Sequence, residues 1–230
     1  MRRLLAAVLV LALAAPASAA TRNFGVSGFD RIRVDGPFKV ELRTGVAPFA
    51  RATGTQAGID AVVVEVQGRT LVVRHNRSAW GGYPGAMTGP VTIAVGTHEL
   101  GSAWLNGAGS LAIDRVKGLS FDLSVQGAGS ADIASAAVDQ LRVTLFGAAS
   151  ASIAGTAPQL NAVVRGAGAL DASRLAVRDA TIGAEGSVTV AANVTGTARV
   201  QSHGTAAVTL TGRPACTVRA LGSASVSGCR

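Results

Sequence analysis

The chain has 230 residues, 48% hydrophobic but only 4% aromatic, with 29 glycines, two cysteines and a formal net charge of +8. That length fits one domain, or two packed parts of one all-β unit. The positive charge is almost all arginine and is scattered, with no basic run or stripe of the kind that binds nucleic acid.

Arg2 and Arg3 precede an apolar run from Leu4 to Ala15 and the small residues Ala17, Ser18 and Ala19. This is the pattern of a secretory signal peptide, residues 1–19, cut after Ala19. The run is too short for a membrane span, and no later segment has the apolar length of a spanning helix. No cysteine follows it to take a lipid anchor. The mature chain is therefore expected in an exported compartment: periplasm, cell surface or secreted.

Strict alternation begins at Phe29, with Ile32 and Val34 before Asp35-Gly36-Pro37 and with Phe38, Val40 and Leu42 after it. This predicts two half-buried strands about a turn. Val62, Val64 and Val66, then Leu71 and Val73, then Val91, Ile93 and Val95 continue the period at less regular spacing. Residues 20–96 are thus expected to form irregular β coils or a cap on the N-terminal end of a more regular stack. Within them Arg74 to Pro90 reads as a loop rich in Gly and Pro. It brings Trp80 and Tyr83 beside Arg74 and Arg77 in a chain poor in aromatics. Aromatic faces next to Arg donors hold sugar rings or extended partners. The other reading is that Trp80 folds back over Trp104 and simply covers it.

From Ser102 onwards a short phrase returns every 18 to 20 residues: Gly107-Ala-Gly109-Ser110, Gly127-Ala-Gly129-Ser130, Gly147-Ala-Ala149-Ser150, Gly166-Ala-Gly168-Ala169, then Gly186-Ser187, Gly204-Thr205 and Gly222-Ser223. Residues 97–230 then read as stacked coils. With Gly109, Gly129, Ala149, Gly168, Gly186, Gly204 and Gly222 set as one column, the residues four before are Leu105, Val125, Leu145, Val164, Ile182, Val200 and Val218. Those three before include Asn106, Gln126, Phe146 and Arg165. Even offsets are apolar or small and odd ones are largely polar, so alternate residues face a core and water. The fold expected is all-β, a right-handed parallel β-helix, or solenoid, with coils about 4.8 Å apart and a rod on the order of 30 Å long. A dinucleotide fingerprint would need a following helix and a third glycine, and neither is present.

Outward Asp132 and Asp171 fall two coils apart, roughly 10 Å, with Ser152 between them, too far to share a cation. His75, His98 and His203 show no zinc spacing, and no nucleophile elbow occurs. No catalytic constellation, metal site or cofactor motif is read from the sequence. Cys216 and Cys229, an even pair in an exported chain, read as a disulfide closing about 14 residues and contributing roughly 3 kcal/mol.

The opening Phe29-x-x-Ile32-x-Val34-x-Gly36-x-Phe38-x-Val40-x-Leu42, the middle Gly68-x-x-Leu71-x-Val73 and the repeated Gly-x-Gly-Ser phrases resemble the autotransporter-adhesin head, or GIN, domain of bacterial envelope proteins. The resemblance runs from about Gly28 to Val226. It implies a β-helical domain in an exported bacterial protein and an adhesin-like role. Three functions are compatible with it: a non-catalytic envelope protein presenting a surface to a glycan or protein partner, a structural or self-associating module, and a carbohydrate-active enzyme. The first is the expectation, with Trp80, Tyr83, Arg74, Arg77 and Trp104 as its ligand-binding residues.

Overall fold

The computed structural model describes residues 20–76 and 89–230. The signal-peptide segment and the loop residues Arg77, Trp80 and Tyr83 lie outside the described residues.

Alternating sequence becomes stacked parallel strands. One face is built from β2 (Arg31–Asp35), β6 (Thr70–His75), β8 (Ser102–Gly107), β10 (Val116–Gly127), β13 (Gln159–Gly166) and β17 (Ala215–Gly222). A second holds β3 (Lys39–Thr44), β7 (Val91–Thr97), β9 (Ser110–Ile113), β12 (Ser150–Thr156), β16 (Ala207–Thr211) and β18 (Ser225–Ser227). The long strands β11 (Ser130–Gly147), β14 (Ala169–Gly186) and β15 (Thr189–Gly204) bend from the second face round to the next coil of the first. Leu105, Val125, Leu145 and Val164 stand in register inside the rod with no exposure. Ile113, Ile133 and Ile153 do the same behind the second face. Each such side chain contributes roughly 1.5–3 kcal/mol by leaving water.

The coils turn from the first face to the second at a glycine corner. Gly107, Gly127, Gly147, Gly166, Gly186, Gly204 and Gly222 are stacked partners. At Gly147 φ is +91°, and a Cβ would sit 2.6 Å from the carbonyl oxygen of Gly127 on the neighbouring coil. Only glycine satisfies both the left-handed backbone and the close approach.

This corner corrects the column drawn from the sequence. The position of the second glycine is filled by Ala149, Val188 and Ala206, all buried, because the backbone there does not take the left-handed conformation that the first glycine needs. Gly186, Gly204 and Gly222 therefore align with the first glycine of the earlier phrases, two residues from the expected register. Val164 faces Ala184, whereas Ile182 lies between Ala162 and Val200. A two-residue shift preserves the inward-outward alternation.

At the N-terminal end the coils are not stacked in chain order. β2 lies between β6 and β8, and β3 between β7 and β9. Beyond them β4 (Phe49–Gly54) runs antiparallel on β7, β1 (Ala20–Phe24) antiparallel on β4, and β5 (Val62–Gln67) antiparallel on β6. A short helix, α1 (Gln56–Asp60), comes after β4. Thr55 caps it by accepting the Gly58 N–H through its hydroxyl at 3.1 Å, and Ile59 is buried beneath it. β1, β4, β5 and α1 thus lie on the far side of β6 and β7 from the regular stack.

Candidate functional site

Trp104 stands on the outward side of β8, half-buried, as its odd offset predicts. Its partners in the ladder are Arg33 on β2 and Ser124 on β10. Two residues further along, Asp35, Asn106 and Gln126 form the next outward row. Asp35 organises this patch: it accepts from Arg33 Nε at 3.1 Å and from Asn106 Nδ2 at 2.6 Å. The carboxylate thereby fixes a guanidinium and an amide beside the indole.

Two grooves flank the Trp104 and Gln126 side chains, and both residues line each of them. The first, about 520 Å³, is completed by Arg33, Gln67, Thr70, Val72 and Asn106. The second, about 650 Å³, runs past Asp122, Arg142 and Phe146. There Arg142 Nη1 lies 3.5 Å from Asp122 Oδ1, and Arg165 stacks over the Phe146 ring with its guanidinium carbon 5.7 Å from the centroid. The surface offers aromatic faces separated by fixed hydrogen-bonding groups. An aromatic face takes the apolar side of a ring, and amides and guanidinium groups orient its polar substituents.

Arg74 lies on β6, on the same outward face, with Asp35 as its neighbour across the ladder. Its Nη2 donates to Glu65 Oε1 at 3.0 Å. That bond, then one from Gln67, holds the Glu65 carboxyl below its ordinary range. The sequence placed Arg74 and Trp104 in one site, and the structure sets them on one face with β2 between them. It adds Arg33, Gln67, Asn106 and Gln126. Of these only Asn106 and Gln126 left a trace in the sequence, as successive members of one outward column. Arg33 and Gln67 arrive through pairings that span many residues.

Two further aspartates bond to the coils themselves. Asp171 accepts from Ser173 N and Oγ at 3.0 and 2.6 Å, and Asp179 accepts from Thr197 N and Oγ1 at 3.2 and 2.7 Å. These bonds lower both carboxyls, foremost the one from the Ser173 hydroxyl at Asp171 and the one from the Thr197 hydroxyl at Asp179. His75 packs on the Phe38 ring at 4.7 Å between centroids. Among the described residues no group of three His, Cys, Asp or Glu is placed to hold a metal ion. Cys216 and Cys229 form a disulfide, with Cα atoms 5.7 Å apart. No helix among the described residues is long and apolar enough to cross a membrane.

A family model described as putative auto-transporter adhesin, head GIN domain, matches residues 28–214. The chain belongs to the GIN-domain family. Solved structures share the fold of this GIN domain. A putative adhesin from Bacteroides fragilis is 20% identical, with 92% of this chain and 95% of that one covered and a TM-score of 0.75. A putative lipid binding protein from Parabacteroides distasonis is 21% identical, with 94% and 98% covered and a TM-score of 0.69. A putative adhesin from Parabacteroides merdae is 16% identical, with 94% and 98% covered and a TM-score of 0.64. No curated protein matches this GIN domain.

Proposed function

We propose that the protein is an exported bacterial envelope component that binds a glycan, without catalysis, on the outward face centred on Trp104. The observation that carries this reading is the half-buried indole between two grooves whose polar groups are held in place. The signal-peptide pattern and the disulfide support export to an oxidising compartment. The family's adhesin description supports a binding role.

The carboxylates that line these grooves or adjoin Trp104 in the ladder, Asp30, Asp35 and Asp122, are each engaged by an arginine, which favours recognition over acid-base chemistry. The lipid-binding description of the Parabacteroides distasonis neighbour names another ligand class. Amides, hydroxyls and paired charges suit sugar hydroxyls better than acyl chains. Residues 20–96 and 97–230 act as one unit in this proposal, because the first groove takes Arg33, Gln67, Thr70 and Val72 from the former and Trp104, Asn106 and Gln126 from the latter.

The test is an array of bacterial and host glycans probed with residues 20–230, beside Trp104→Ala and Trp80→Ala/Tyr83→Ala variants of unchanged melting. Binding that falls at least about tenfold in Trp104→Ala supports the site. Loss in the Trp80/Tyr83 variant as well extends it to the loop. No glycan bound, or binding indifferent to Trp104, overturns the proposal.

A further inference from the structure

Among the described residues, both ends of the rod present strands paired on one side only, β1 and β5 at the first and β17 and β18 at the other, but they differ in how far their apolar side chains are covered. At the first end α1 lies against β1, β4 and β5, Ile59 is 1% exposed, and Val62 and Val64 of the terminal strand β5 are 3% and 7% exposed. At the other end β17 and β18 pair on one side only among the described residues, with β15 and β16. Val218 continues the inward column of Ile182 and Val200, yet it is 41% exposed where each of those is 1%. Leu221, on the outward side of the same edge strand, is 60% exposed.

Charge changes along the rod as well. Every aspartate and glutamate lies between Asp30 and Glu185, whereas the chain after Glu185 carries Arg199, Arg213, Arg219 and Arg230 and no acidic residue. Arg219 is exposed on the outward side of β17. The Cys216–Cys229 disulfide ties the start of β17 to the segment after β18, and Arg230 N donates to Pro214 O at 3.2 Å. The edge is therefore held as a strand before anything pairs with it.

We propose that the free edge of β17, residues 215–222, is a docking site for an extended acidic segment of a partner protein, which adds to the sheet as one more strand. Unpaired backbone groups of an edge strand supply the hydrogen bonds of such an addition. Apolar side chains of the guest cover Val218 on the inner side, and its carboxylates meet Arg219 on the outer side. A second copy fits less well. Tail-to-tail contact would bring two basic ends together, and head-to-tail contact would meet an end where Ile59, Val62 and Val64 are already buried and offer Val218 no apolar surface.

The experiment titrates residues 20–230 into a labelled peptide alternating valine and glutamate. The controls are a valine-lysine peptide and the valine-glutamate peptide N-methylated at alternate residues. Expected is salt-sensitive binding of the first peptide at least about tenfold tighter than either control, with amide exchange slowed in residues 215–222. Arg219→Glu, at an exposed site and with melting checked, reverses the preference between glutamate and lysine. Trp104→Ala leaves peptide binding unchanged, which separates this site from the glycan face. Equal binding of a control, protection elsewhere, or no binding of the valine-glutamate peptide overturns the proposal. So does capture of the protein by phosphatidylglycerol vesicles in place of the peptide, or sedimentation as a dimer that Arg219→Glu abolishes.

Discussion

Replacing Gly147 with alanine tests whether the glycine corner sets the approach of the coils. A non-glycine residue at φ +91° costs about 1–2 kcal/mol of backbone strain. The added Cβ also meets the Gly127 carbonyl oxygen at 2.6 Å, and that atom is backbone and cannot swing aside. Relieving the clash requires two coils to part beside the place where the Ser150 N–H donates to the Gly129 carbonyl at 3.0 Å, an overpacking cost of about 1–3 kcal/mol. Gly45 isolates the strain, since its φ is +74° and a Cβ there meets nothing within 4 Å. The expected losses are about 3 kcal/mol for Gly147→Ala and about 1 kcal/mol for Gly45→Ala. Both are read from urea unfolding followed by far-ultraviolet circular dichroism, with the m-value unchanged. Equal losses would refute the reasoning, because the clash would then cost nothing beyond the dihedral.

Leu145→Ala empties an inward position and should cost about 2–5 kcal/mol, whereas Gln126→Ala on the outward face should stay within about 0.5 kcal/mol in the same urea melts. Replacing Cys216 and Cys229 with serine should cost about 3 kcal/mol, with faster amide exchange confined to residues 215–227. Asp171 and Asp179 have folded-state pKa values below their unfolded ones, so their stabilisation is complete above the unfolded values and is lost as pH falls through the lowered ones. Asp179→Asn should therefore flatten the acid limb of a melting-temperature profile below roughly pH 4 and lower the plateau above it.

Inward and outward residues were legible because a strand has period two, so Leu105 and Trp104 could be assigned to opposite sides from local sequence alone. The vertical register was less legible. Gly186-Ser187-Val188 matches Gly166-Ala167-Gly168 in the structure, but weighting both glycines of the phrase equally slides it by two residues. What separates them is φ, since the first glycine alone needs the left-handed region. The position of β2 between β6 and β8 was not legible, because Ile32, Leu71 and Ala103 sit in strands of like alternation and nothing local ranks their pairings. The same limit hid Arg33 and Gln67 from the site around Trp104.

The interleaving of β2 and β3 also governs the order in which the molecule can be completed. A simple solenoid can grow coil upon coil as its chain emerges. Here the first coil of the chain, Arg31 to Thr44, has both of its sides supplied later, by strands that end at Thr97 and at Ile113. Until Thr97 is available that coil has two raw edges, and until Ile113 one, so the early chain must be kept from pairing with strangers. Growth towards the C-terminus then proceeds on a base that closes only after almost half of the chain has been made.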